Sequence, residues 1–232
     1  MTTTWDHLAV FSFAVLLPAY VRYNYPRFQR ALAAGEPGVR SRQYVKTLVR
    51  QWILALTAVA SWLSAGRPLE ALGLGRPGGT GFWMGVALAG LVVALWRGQL
   101  RAALRSEAAR TRLVEQLEAV APILPSDEHE LRLFTALSIT AGICEEILFR
   151  GYLIWYLENY VGILPAVVLA GTAFGLGHIY QGRTQALKIV VVGILFGGFY
   201  LGSGSLWVAM ALHAALDASQ GRLAHDLLRH KG

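Results

Sequence analysis

Residues 141–151 read Ala-Gly-Ile-Cys-Glu-Glu-Ile-Leu-Phe-Arg-Gly, near the middle of an apolar run that covers about residues 131–157. An apolar run of this length is typical of a transmembrane helix, yet this one carries Glu145, Glu146 and Arg150. Each ionisable side chain inside a bilayer costs about 2.5–3.5 kcal/mol on insertion scales. The stretch therefore predicts a membrane helix whose charged groups have a function.

The rest of the chain has the composition of a membrane protein. Of its 232 residues 55% are hydrophobic and only 15% are charged, whereas soluble domains carry about 25% charged residues. We therefore predict an all-α fold, a polytopic transmembrane helix bundle of about seven spans, with eight as the other count. The predicted spans cover residues 7–21, 45–65, 81–97, 131–157, 161–179, 186–202 and 205–221.

The distribution of basic residues predicts an orientation. With the N-terminus outside, 18 of the 21 Lys and Arg residues fall on inside loops and their flanks, which leaves Arg67 and Arg76 outside and Arg150 within a span. Such a bias is typical of cytoplasmic loops, and it also explains the net charge of +7 without nucleic acid, for which no motif is present. We expect a multi-pass membrane protein with its N-terminus outside and its C-terminus in the cytoplasm. The oligomeric state stays open.

Residues 98–126 differ from the predicted spans because apolar residues alternate there with Arg and Glu. This pattern predicts an amphipathic helix on the cytoplasmic surface or an extension of the third span. The next helix is expected to begin at a capping box formed by Asp127 and Glu130, with Ser126 as the competing N-cap. We divide the single membrane domain, 1–232, into three N-terminal spans (1–97), the amphipathic segment (98–126), the helices with the candidate site (127–221) and a cytoplasmic tail (222–232).

Ionisable and ring-bearing residues also recur in the later predicted spans. Phe174 precedes His178 by four residues, and His213 precedes Asp217 by four, so each pair shares a helix face. Glu146 and Arg150 have the same spacing and can form an internal ion pair. We expect these groups on three helices, with none in the first three predicted spans, to form one buried site.

Several chemistries fit these residues. A carboxylate with two imidazoles can deprotonate a water molecule and stabilise the oxyanion that forms when the water attacks an amide. The set Glu145, His178 and His213 could instead bind zinc, although the His-Glu-x-x-His signature is absent. Cys144 is a third candidate, as a nucleophile, but an apolar environment would keep its thiol protonated.

The later half of the chain, about residues 122–221, resembles the CAAX-protease and bacteriocin-processing (CPBP) family, and its first motif looks especially like bacterial members. Three motifs carry the resemblance, in order and on separate predicted spans: Glu145-Glu146-x-x-x-Arg150, Phe174-x-x-x-His178 and His213-x-x-x-Asp217. The first half shows no such resemblance.

The resemblance implies an intramembrane endopeptidase. Glu145 would then be the general base, with His178 and His213 positioning the water or stabilising the oxyanion, and with Glu146 and Arg150 shaping the site. Asp217 stands where the family often has Asn. We expect a metal-free glutamate mechanism, with a zinc-dependent one as the alternative, and a membrane-embedded or lipidated protein or peptide as the partner in the bilayer. The rival interpretations are a proton-coupled transporter and a non-catalytic peptide-binding or immunity protein.

Overall fold

The computed structural model describes residues 2–118 and 120–228, and all regular elements within these ranges are helical. The predicted all-α helix bundle is confirmed. Of the predicted tail, residues 229–232 lie outside the described residues. The helices are α1 (Thr4–Ala33), α2 (Val39–Ser64), α3 (Gly79–Arg105), α4 (Glu107–Glu118), α5 (128–161), α6 (Ile163–Gly177), α7 (Arg183–Ser203) and α8 (Leu206–Leu228).

Three of the described helices, α1, α3 and α7, are long and apolar enough to cross a membrane. Helix α6 is equally apolar, but it has only 15 residues. The chain is therefore a membrane protein by composition and helix length, while the count of about seven spans stays a prediction.

The predicted first span, 7–21, is shorter than the helix that contains it, Thr4–Ala33. Helix α1 continues to Ala33 through a polar stretch that contains Pro26, and it includes a π-helical turn at Ser12–Leu16. Its second half is held by packing, because Phe28 is buried and the ring of Tyr25 lies 4.9 Å from that of Tyr180. Sequence periodicity does not show such tertiary contacts.

The amphipathic segment packs against the protein. Helix α3 extends to Arg105, and the separate helix α4 buries Val114 and Leu117. Leu117 belongs to a small apolar cluster with Leu223 and Ala224 of α8. The apolar face of this segment thus contacts the end of the last helix. Each predicted alternative describes one part of the segment, because residues up to Arg105 extend α3 and the amphipathic α4 is a separate helix.

Small residues bring α5 and α8 into close contact. A Cβ atom added at Gly142 of α5 would lie 2.8 Å from the Met210 carbonyl oxygen and 2.8 Å from the Ala214 amide nitrogen. Helices α6 and α7 approach in the same way at Gly171 and Gly193. Such approaches are common between membrane helices, and they fix the positions of the motif-bearing helices.

A buried polar cluster joins the first helix to the fifth. Both carboxylate oxygens of Asp6 accept hydrogen bonds from Arg67, at 2.8 and 2.7 Å, and the Tyr152 hydroxyl donates to the same carboxylate. Asp6 has no exposed surface. Asp6 precedes the predicted first span, 7–21, and its burial was not expected from the sequence, because it meets its partners only in the folded chain.

Candidate active site

The centre of the site is the carboxylate of Glu146, which is fully buried. Its Oε1 atom accepts hydrogen bonds from Arg150 Nη1 at 2.9 Å and from His213 Nδ1 at 2.7 Å. The Arg150 guanidinium also lies over the Phe174 ring, 4.3 Å from its centre. An ionised carboxylate only accepts hydrogen bonds, so the His213 proton on this side points at Glu146 and fixes the orientation of the ring.

The backbone is not α-helical at this point. Helix α5 consists of an α-helical part, Glu128–Glu145, a π-helical part, Glu146–Leu153, and a second α-helical part, Ile154–Val161. Short π segments inside α-helices occur frequently at functional sites. Here the π segment begins at Glu146, so the paired carboxylates lie at the change of helix type.

Glu145 points to the other edge of the same imidazole. Its Oε2 atom lies 3.9 Å from His213 Nε2, and its Oε1 accepts a hydrogen bond from Gln51 Nε2 of α2 at 2.6 Å. Asp217 Oδ2 faces the same His213 nitrogen at 3.6 Å. The Glu145 side chain keeps 15% of its surface exposed, whereas Glu146 has none. Of the two carboxylates, Glu145 is thus the one accessible to a reactant.

His178 follows the last residue of α6 and completes the group. Its Nδ1 donates to the Phe174 carbonyl oxygen at 2.8 Å, because a carbonyl can only accept. This leaves Nε2 as the free nitrogen of the neutral ring. The His178 ring contacts the Phe174 ring at 4.8 Å, and His178 interacts electrostatically with Glu145.

The structure thus brings all seven sequence-predicted residues into one connected group. Hydrogen bonds, charge contacts and ring contacts join Glu145, Glu146, Arg150, Phe174, His178, His213 and Asp217. Their catalytic roles stay predictions, since proximity does not by itself assign chemistry.

Gln51 is the contact that sequence reasoning missed. It is buried on α2, in the half of the chain that shows no family resemblance, and it holds the outer carboxylate. The available signal was an amide side chain directly before the apolar run that starts at Trp52. A buried amide requires a hydrogen-bond partner, but the sequence does not indicate which one.

The zinc alternative stays a prediction. Within residues 2–118 and 120–228, no group of three or more His, Cys, Asp or Glu side chains is arranged to hold a metal ion. Glu145 Oε1 accepts from Gln51, and each imidazole uses its Nδ1 within the protein, which leaves Glu145 Oε2 and the two Nε2 atoms as the remaining donor atoms of this set. Cys144 is fully buried beside these groups.

Comparison with known proteins identifies part of the chain. Residues 127–219 match the family described as type II CAAX prenyl endopeptidase Rce1-like. The matched segment begins at the N-cap of α5 and ends within α8, so it contains the three motifs and excludes Gln51. The match confirms the resemblance seen in the motifs, although it does not separate bacterial from other members. Searches among curated proteins and solved structures found no significant match.

Proposed function

Since residues 127–219 belong to the Rce1-like, type II CAAX prenyl endopeptidase family, we propose that this protein is an intramembrane endopeptidase in which Glu145 activates water. The observation that carries the proposal is the position of Glu145. Its side chain is partly exposed and its Oε2 lies 3.9 Å from His213 Nε2, while the neighbouring Glu146 is fully buried and accepts two hydrogen bonds.

In the proposed reaction, Glu145 accepts a proton from a water molecule as the water oxygen attacks the substrate carbonyl carbon. The tetrahedral oxyanion then collapses, the bond from carbon to nitrogen breaks, and the nitrogen leaves with the proton that Glu145 carried. Gln51 keeps one Glu145 oxygen occupied, which directs the other oxygen at the reactant. General acid–base catalysis of this kind contributes about 10²–10⁴-fold to a rate.

His178 and His213 assist from the two sides of the reacting group. In their neutral forms, both rings use Nδ1 within the protein and turn Nε2 to the reaction space. Each Nε2 can accept a hydrogen bond from the attacking water, and a ring protonated at Nε2 can donate to the oxyanion. Asp217 Oδ2 lies 3.6 Å from His213 Nε2. As a carboxylate Asp217 can accept a hydrogen bond from the water, and as a carboxylic acid it can donate one to the oxyanion.

Glu146 and Arg150 act as positioning residues in this proposal. Glu146 and Arg150 neutralise each other's charge within one helix. The hydrogen bond from His213 Nδ1 to Glu146 keeps the His213 ring from rotating. Truncating one partner of such a buried pair is strongly destabilising, so we expect variants of either residue to lose folding and activity together.

The printed description of the matched family and the apolar helices of the chain support a proposal for the substrate class. We propose a membrane-embedded or lipidated protein or peptide, cleaved by a multi-pass protein of the bacterial inner membrane whose N-terminus lies outside and whose C-terminus lies in the cytoplasm. The basic residues support this orientation, because 18 of 21 lie on the predicted inner side.

The decisive experiment compares purified wild type with Glu145→Gln on a library of labelled membrane peptides. We expect cleavage to fall by about 10²–10⁴-fold in the variant, with an unchanged helix content and melting temperature. Glu115→Gln is the matched control, since Glu115 is an exposed residue of α4. Equal cleavage by wild type and Glu145→Gln would refute the assignment of the base.

The same assay decides between the two mechanisms of the sequence analysis. A glutamate mechanism predicts that the wild-type rate survives a strong chelator. Loss of the rate in chelator, with recovery on adding zinc, would establish the metal-dependent alternative.

A further inference from the structure

A cavity of about 140 Å³ lies between α1, α2 and α5, next to the site but not part of it. Its wall includes the aromatic rings of Tyr20, Tyr25 and Tyr180 and the basic side chains of Lys46 and Arg50. Lys46 is exposed and Arg50 is half-buried. The cavity thus combines aromatic surface with two positive charges.

In the described part of the chain neither basic group forms an ion pair, although the Arg50 guanidinium interacts electrostatically with the Glu145 carboxylate and the Tyr20 hydroxyl. Arg50 Nη2 donates to Thr47 Oγ1 at 3.2 Å, and the guanidinium lies over the Tyr20 ring, 5.3 Å from its centre. Its Nε atom is buried without a hydrogen-bond partner. A buried donor on a charged group is costly when it stays unpaired, so this position favours an anionic ligand.

Two residue contacts connect the cavity wall to the proposed catalytic group. Arg50 directly precedes Gln51, whose side chain holds Glu145. Tyr180, on the cavity wall, stacks on His178 with 6.1 Å between the ring centres. A peptide with its scissile bond at Glu145 would therefore place neighbouring residues in this cavity.

Tyr180 adds an uncharged hydrogen-bond donor. Burial raises the pKa of its hydroxyl to about 12, so the group stays protonated at neutral pH. The hydroxyl accepts a hydrogen bond from Gln181 Nε2 at 3.1 Å, which leaves its proton free to donate. The wall thus offers a guanidinium, an ammonium and a hydroxyl donor.

We propose that this cavity is an anion subsite in which Arg50, with Lys46 at the entrance, binds a carboxylate of the peptide substrate. The carboxylate can be a side chain or a chain terminus near the scissile bond, since both offer the same two oxygens to a guanidinium. The inference rests on the proposed function and adds a specificity residue that lies outside the family-matched segment, residues 127–219.

The test uses the Glu145→Gln protein, which should bind without cleaving, and three versions of one short apolar peptide. The versions end in a free carboxylate, in an amide, or in an amide with a Glu side chain close to the end. We expect either carboxylate to tighten binding by about 10- to 100-fold over the plain amide, as measured by fluorescence anisotropy in detergent. Arg50→Gln should remove this preference and leave the affinity for the amide unchanged.

Two variants control this experiment. Arg42→Gln removes an exposed arginine from the same helix and should keep the full preference. Arg50→Lys keeps the charge but not the planar fork, so it should keep part of the preference, and it decides the question if Arg50→Gln does not fold.

The outcomes separate the two proposals. Equal or absent binding of the acid and amide peptides overturns the subsite, as does a preference that Arg50→Gln leaves intact. If phosphatidylglycerol vesicles displace the bound fluorescent peptide and an unlabelled acid peptide does not, the cavity binds a lipid phosphate and the proposed peptide subsite is overturned. If the acid preference holds while the protein with an intact Glu145 cleaves none of these peptides, the subsite stands and the protease function fails.

Discussion

At the scale of single residues, the chemistry depends on how two adjacent carboxylates differ. Glu146 lies in a closed network with Arg150 and His213, whereas Glu145 is held by one neutral amide and keeps 15% of its side chain exposed. Adjacent residues on a helix point about 100° apart, so the two side chains meet different neighbours. The partners that make the difference come from α2 and α8.

Gln51 should therefore matter for catalysis although it lies far from the motifs in sequence. Gln51→Leu keeps the size of the side chain but frees one Glu145 oxygen, and losing a hydrogen bond to a charged group costs about 1–3 kcal/mol. We expect kcat to fall by about 5- to 150-fold with KM nearly unchanged. Steady-state kinetics on the same peptide substrate measures both.

The exposed Gln99 of α3 provides the matched control, since Gln99→Leu makes the same exchange away from the site. If Gln51→Leu and Gln99→Leu share the wild-type kcat, then Gln51 does not position the base. A rise in KM alone would instead place Gln51 in substrate binding.

At the scale of the elements, the close crossing of α5 and α8 sets the distance between Glu146 and His213. Gly142→Ala would drive a Cβ atom to within 2.8 Å of backbone atoms of α8, which cannot move as a flexible side chain can. Overpacking of this kind costs about 1–3 kcal/mol. We expect a lower melting temperature and at least about a tenfold loss of cleavage.

Gly90→Ala is the control, because Gly90 also lies within a helix and a Cβ atom there meets nothing within 4 Å. Its melting temperature should equal or exceed that of wild type, since Ala favours helix over Gly. Full activity in Gly142→Ala would mean that the helix spacing tolerates a methyl group.

Some features of the helices can be predicted from the sequence and others cannot. Hydrophobic runs identified the helices, and the N-cap at Asp127 was correct, since its Oδ1 accepts from the Glu130 amide at 2.8 Å. The other half of the predicted capping box was wrong, because the Glu130 side chain does not return to the Asp127 amide. Glu130 itself pairs with Ser126 and with Arg40 of α2, at 2.9 Å each. The π segment of α5 and the continuation of α1 to Ala33 depend on packing between distant residues, which a local pattern does not contain.

At the scale of the whole molecule, the buried cluster of Asp6, Arg67 and Tyr152 connects the first helix to the helix that carries the proposed base. Asp6→Asn should destabilise the protein strongly, because breaking a buried pair leaves an uncompensated charge at a cost of about 3–5 kcal/mol. Thermal unfolding in detergent would show this as a large drop in melting temperature.

Asp226→Asn is the comparison for Asp6→Asn. Asp226 pairs with Arg222 at 3.4 Å with more than half of each side chain exposed, and exposed pairs contribute about 0–1 kcal/mol. Equal melting temperatures for both variants would show that the cluster does not stabilise the fold.

The predicted orientation can be tested by labelling cysteines that are introduced at exposed positions. Cys144 is the single cysteine and is fully buried, so cysteines introduced at exposed positions should dominate labelling. In intact cells, a membrane-impermeant maleimide should label Arg76→Cys and leave Arg110→Cys unlabelled until the membrane is opened. The reverse pattern would invert the orientation, and labelling of both would contradict a span between them.

The self-contained ion pair of α5 has a consequence for biosynthesis. Glu146 and Arg150 can neutralise each other within one helix as soon as that helix forms, which lowers the cost of its entry into the bilayer. His213 and Asp217 are translated later, on α8, and only their arrival supplies the imidazole between the two glutamates. A nascent chain that ends before α8 would therefore be inserted but inert, so the protein should not be able to cut its neighbours at the translocon before its own synthesis is nearly complete.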